Sequence, residues 1–239
     1  MSSSSAIDSP RDSSLFQNVV ASRSAAANSI VDLRKLLAER FPQPPVAARA
    51  RIATGLAKFD DAIGGGLSKG AITELTSPNI SAGGALFLSL LLHKAHRDRQ
   101  FLALIDGGDS FDPQPLGNAR LRNLLWVRCT QANDAVKAAD LLLRDGNFPI
   151  VVLDLVLNGA DELRKIPQTS WYRLQRLVEP SPTAFLLLTR RSMISSAQVK
   201  IVLENNWRLD DLPRDDCFKN LEFQVQRLHG GRQDMAETG

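Results

Sequence analysis

The sequence predicts an α/β fold: a doubly wound and mainly parallel sheet with helices on both faces, antiparallel C-terminal strand pairing and an N-terminal helical arm. Three observations predict it. From Arg51 onward, apolar runs of strand length alternate with helical stretches, and βα alternation of this kind builds a sheet with right-handed crossovers. Runs such as Ile150–Val156 (IVVLDLV) and Ala184–Thr189 (AFLLLT) are apolar at successive positions, as expected of strands covered on both faces. Near the C-terminus, Leu221, Phe223 and Val225 alternate with polar residues, the period of a half-exposed antiparallel strand.

Taken in order, the chain begins with residues 1–29, rich in Ser and Ala and without an apolar signal core; this reads as a disordered leader. Residues 30–48 read as a helix and a Pro-rich linker. Ser29 and Asp32 make a capping-box-like start, and Ile30, Leu33, Leu36, Leu37 and Phe41 form one apolar stripe. The clustered prolines of FPQPPVAAR then end the helix. The stripe either folds back on its own core or docks on a partner, with Ile30, Leu33, Leu37 and Phe41 as the contact residues. Residues 49–230 form the core, and 231–239 a flexible tail. Within the core, strands are expected at Ile72–Thr76, Phe101–Asp106, Leu124–Cys129, Ile150–Val156 and Ala184–Thr189. Helices are expected near Ala85–Arg97, Gln131–Arg144 and Ser170–Glu179, the second capped by Gly146 and the third stopped by Pro180.

Composition narrows the function classes only a little. The chain has 239 residues, 44% of them apolar, with 29 basic against 26 acidic side chains. A net charge of +3 permits nucleic-acid contact without demanding it, since committed binders concentrate basic residues on one face. Cys129 and Cys217 form no metal-type cluster and read as free thiols of a reducing compartment. His93 and His96 share a helical face without further ligands, so no metal is expected. No run is long enough to span a bilayer, and the expected location is the cytoplasm.

The chemistry should sit at the carboxyl ends of the strands. The first βα junction, AITELTSPNISAGGALFLSLLLHKA, has the setting of a phosphate loop: strand, small-residue turn, apolar helix. A working G-x-x-x-x-G-K-[ST] loop needs glycines so that amides close around phosphate, a Lys for the β/γ-phosphates and a hydroxyl for Mg²⁺. Placed on this sequence, Ser77 stands at the first Gly, followed by Pro78, Asn79, Ile80 and Ser81. Ala82 stands at the second Gly, Gly83 at the Lys and Gly84 at the hydroxyl, with Ala85 next. No Lys lies between Lys69 and Lys94. Charge-assisted hydrogen bonds contribute about 1.5–3 kcal/mol each, so a loop lacking them is expected to hold no productive ATP and no nucleotide cofactor.

These motifs carry a resemblance. The run RIATGLAKFDDAIGGGLSKGAITEL closely resembles the start of the RecA core, and FLALIDGGDSFDP resembles the RecA segment in which Asp106, Asp112 and Pro113 keep their counterparts. The resemblance implies that the water-activating Glu of that family is replaced here by Gly108. It further implies that Asp154, in IVVLDLV, stands at the Walker B carboxylate, and that Arg190, after AFLLLT, replaces the γ-phosphate-sensing Gln. It covers roughly residues 49–228. The segments that correspond to the RecA DNA-binding loops, near Leu157–Ser170 and Arg191–Gln198, look short, and RecA's separate C-terminal domain has no counterpart.

The combination of IDGGDSFDP, LLWVRC, the IPQTSWYRLQRLVEPSPTAFLLL run and a short C-terminus looks like ImuA-type RecA homologues, which are related to the division inhibitor SulA. That resemblance implies a non-catalytic accessory protein of DNA-damage-induced translesion synthesis. The partners it implies are an ImuB-like inactive polymerase, an error-prone polymerase subunit and RecA itself.

Three groups of residues remain open at this point. Asp154 is either a metal-associated carboxylate or the cap of a turn, the latter favoured without a Lys or hydroxyl partner. Arg190, Arg191 and Lys200 either contact phosphate of single-stranded DNA, since guanidinium pairs bidentately with phosphate oxygens, or pair with the carboxylates at 210–216. From Arg190 to the end, eight basic residues balance eight acidic ones. Trp171, in helical register with Leu174 and Val178, belongs to the core more readily than to an interface.

Overall fold

The structure, a computed structural model, describes residues 49–207 and 221–228. The leader, the arm with Ile30, Leu33, Leu37 and Phe41, the carboxylates at 210–216, Cys217 and the tail lie outside the described residues. A short antiparallel pair, β1 (Arg51–Ile52) and β2 (Leu67–Ser68), brackets helix α1 (Ala57–Ala62). Strand β3 (Ala71–Thr76) leads through a 3₁₀ turn (Ile80–Ala82) into α2 (Gly84–Arg97). Then follow β4 (Leu102–Asp106), a one-turn α3 (Gly117–Arg120), β5 (Leu124–Arg128), α4 (Ala132–Asp145) and β6 (Ile150–Asp154). The chain continues through α5 (Ala160–Arg164), α6 (Gln168–Val178), β7 (Ala184–Thr189), β8 (Val199–Leu203) and β9 (Phe223–Leu228).

Seven strands form one sheet in the order β5-β4-β6-β7-β3-β8-β9, parallel throughout except for the antiparallel pairing of β9 with β8. The α/β class with a mainly parallel sheet is therefore as expected, and the fold is RecA-like. The period-two geometry of a strand divides the apolar runs between two cores. Leu102, Leu104, Ile150, Val152, Leu186 and Leu188 face one side with Phe59 of α1 and Phe87, Leu88 and Leu91 of α2. Ala103, Ile105, Val151, Leu153, Phe185 and Leu187 face the other, with Ala135 and Ala139 of α4 and Trp171, Leu174 and Val178 of α6.

The five expected strands form with ends shifted by no more than two residues. Three features depart from the sequence expectation. Strand β8 was not anticipated, because Lys200 interrupts its apolar run; its residues alternate between buried and half-buried. Helix α1 is too short for its periodicity to show. Leu221, expected within the last strand, precedes it and is 3% exposed. Among the described residues no helix is long and apolar enough to cross a membrane.

Candidate functional site

Sheet topology brings the ends of β3, β4, β6 and β7 to one edge. Ser77 continues β3 and donates its N–H to Thr189 O at 2.7 Å, tying the loop to the end of β7. Asp106 and Asp154 are register partners at the ends of β4 and β6. They have different roles. Asp106 is buried and accepts from Ser110 N (2.9 Å), Phe111 N (2.8 Å) and Ser110 Oγ (3.3 Å), so its carboxylate organises the 107–111 turn. Asp154 accepts from Val156 N at 3.0 Å, a local Asx-type turn. Burial pushes its carboxyl up to about 6, the Val156 N–H opposes this in part, and the neighbouring Asp106 charge adds to the rise.

A cavity of about 330 Å³ opens between the phosphate-loop analogue and this edge, lined by Ser77, Gly84, Ala85 and Asp154 among the anticipated residues. The rest of its wall is largely apolar, including Ile80, Leu88, Phe111, Leu116 and Leu157, and its charged lining groups are the carboxylates Asp112 and Asp154. No Lys or Arg lines it among the described residues. Pro78, Asn79, Ser81, Ala82 and Gly83 belong to the loop without lining the cavity.

The loop is a wound turn backed by later chain. Ala82 N bonds to Asn79 O (3.1 Å), Ser77 Oγ donates to Asn79 O (2.9 Å), and Trp207 N donates to Ser81 O (3.2 Å). Gly83, where the phosphate-loop pattern laid on the sequence puts its lysine, has φ +105°, and a Cβ built there would lie 2.6 Å from Leu221 Cδ1. A side chain at this position heads into Leu221, which packs in the core, and not into the cavity. Gly108, where the resemblance places a water-activating Glu, has Leu157 Cβ 3.2 Å from the point a Cβ would occupy.

Arg190 does not join this group. It lines a separate cavity of about 580 Å³ with Arg191, Arg164 and Trp171. Lys200 is also apart from the arginines' free charge: its Nζ lies 3.3 Å from Glu74 Oε2 and 2.7 Å from Ser192 Oγ. Glu74, in the middle of β3, is fully buried and receives Ser192 Oγ (2.8 Å), Met193 N (2.5 Å) and Ile194 N (3.1 Å). The sequence reading missed this hub. An acidic residue inside the apolar run AITELT was the available signal, since a buried carboxylate must be paired or hydrogen-bonded.

The comparisons with known proteins fit this architecture. No protein-family model matches the chain. The chain is similar to the RecA protein of Frankia alni, 32% identical over 117 residues, which is 48% of this chain and 33% of that protein. It is 32% identical over 121 residues to the RecA protein of Acinetobacter baumannii (49% of this chain, 34% of that one). Against RecA of Clostridioides difficile it is 34% identical over 109 residues, 44% of this chain and 31% of the relative. The chain is RecA-like. The similarity takes in about half of it and about a third of the length of each of these relatives.

Proposed function

We propose that this is a non-catalytic, ImuA-type accessory protein of the DNA-damage response, acting in translesion synthesis through contacts with other proteins. The RecA relatives support a place in DNA repair. One observation carries the non-catalytic part: the cavity at the phosphate-loop analogue presents carboxylates and apolar groups where a triphosphate needs cations. Bringing a polyanion beside Asp112 and Asp154 in a partly dehydrated pocket is repulsive, and like charges close together in low dielectric interact by several kcal/mol or about that order. The geometry at Gly83 supports the same conclusion, because it directs the missing lysine's position away from the site.

Its partners on this reading are an ImuB-like inactive polymerase, an error-prone polymerase subunit and RecA. The competing readings are a DNA-dependent ATPase and a SulA-like division inhibitor. Co-purification of the full chain with polymerase-like partners, set against the division GTPase, separates the accessory role from the division role. Turnover assays at millimolar ATP, with and without single-stranded DNA, test the catalytic one. Hydrolysis that Asp154→Ala abolishes contradicts the proposal.

A further inference from the structure

The 580 Å³ cavity has a different character from the pocket beside the loop. Its lining combines Arg190 and Arg191 with Leu163, Ile166, Met193 and Trp171. We propose that it docks an acidic, apolar peptide segment of a partner protein, an apolar side chain entering between Leu163, Ile166 and Met193 while flanking carboxylates meet Arg190 and Arg191. The proposal rests on the reading above that the protein acts through protein contacts, and it names the surface and the chemistry.

Both walls are anchored before any ligand arrives. On one side, the turn after β7 carries the two arginines and is fastened at Ser192, Met193 and Ile194 by the buried Glu74 carboxylate. On the other, Asn158 Nδ2 donates to Gly107 O at 2.9 Å and to Glu162 Oε2 at 3.2 Å, and Glu162 in turn accepts from Ala132 N. A site held this way loses little conformational freedom on binding. Arg190 and Arg191 are exposed and have no carboxylate within ion-pair distance among the described residues, whereas Arg164 is paired with Asp161.

The lining favours a peptide over a nucleic acid: beside the two arginines stand the aliphatic side chains of Leu163, Ile166 and Met193, which suit an apolar side chain, and the aromatic lining residue, Trp171, is 2% exposed. A nucleobase would instead require an exposed aromatic face for stacking, and Trp171 has almost none.

Fluorescence anisotropy on the full chain tests this. The probe is a fluorescein-labelled peptide with a Leu-Phe centre flanked by Asp pairs. Its controls replace Asp with Asn or Leu-Phe with Ser-Ser, and a short oligo-dT serves as competitor. We expect saturable binding that weakens about tenfold or more in the Arg190→Ala/Arg191→Ala variant and about tenfold with either control peptide, in line with the loss of one or two charge-assisted contacts or of one apolar anchor. The arginines are exposed, so an unchanged thermal midpoint confirms an intact fold. Equal binding of the control peptides, unaltered affinity in the double arginine variant, or displacement of the peptide by oligo-dT overturns the proposal. Absent peptide binding with absent ATP turnover refutes the docking site alone, and turnover refutes the non-catalytic reading alone.

Discussion

At Gly83 and Glu74, single residues decide what this edge of the sheet can do. Gly83 combines φ +105° with a neighbour, Leu221 Cδ1, 2.6 Å from where a Cβ would sit. Gly83→Lys, the substitution that would repair the phosphate loop by sequence, therefore should not repair it. We expect it to lower stability by about 1–3 kcal/mol, the scale of left-handed backbone strain in a residue with a side chain, and to leave nucleotide affinity unchanged in a parallel titration. Glu74 is the opposite case, a charge whose removal leaves partners behind. Glu74→Ala orphans two backbone N–H groups and leaves the Lys200 ammonium without its carboxylate, and breaking a buried pair from one side costs about 3–5 kcal/mol. Urea unfolding should show a loss of that size, with Glu74→Gln milder because its amide oxygen still accepts.

Between elements, two aspartates give opposite pH signatures. Asp154 ends β6 with its carboxyl raised from 3.8 to about 6, mainly by burial. The folded state then holds a proton that the unfolded state has released between about pH 4 and 6, so its contribution to stability falls as pH rises through that window. Asp154→Asn should flatten this part of the pH–stability curve, a change on the order of 3 kcal/mol across the window. Asp140 of α4 is held down to about 2, first by the hydrogen bond from Arg173 of α6 (2.5 Å), with burial opposing and Arg144 (2.8 Å) adding to the depression. Its contribution is present above about pH 4 and disappears as pH falls toward 2. Asp140→Asn should therefore lose stability at neutral pH and show a shallower acid transition in denaturant melts.

The same element scale shows what the sequence made legible. Doubly covered strands such as Ala184–Thr189 announce themselves because every position is apolar, and the helices on them show a 3.6-residue stripe. Strand β8 stayed hidden because Lys200, tethered to Glu74, breaks the apolar run. That no Lys stands between Lys69 and Lys94 is read from residue identity alone. Its surroundings were not: Leu221 against Gly83, and Leu157 against Gly108, are contacts between residues 138 and 49 positions apart in the chain. The second cavity was equally hidden, since Asn158, Trp171 and Arg191 meet only through the sheet order.

Across the whole molecule, the RecA-like sheet keeps its carboxyl edge as the place where side chains converge, but divides it into two unlike compartments. One is apolar and acidic beside the phosphate-loop analogue; the other is apolar and basic beside the turn after β7. Arg190, placed by resemblance at a phosphate sensor, lines the second, and Leu157 stands in the wall of both. On the proposed function, the protein responds to partners and not to a nucleotide cycle. The most direct measurement is a titration of the full chain with ATP and Mg²⁺, followed by calorimetry to millimolar nucleotide. The account predicts no saturable heat and no change in thermal midpoint; a saturable one-to-one isotherm weakened by Asp154→Ala would contradict it.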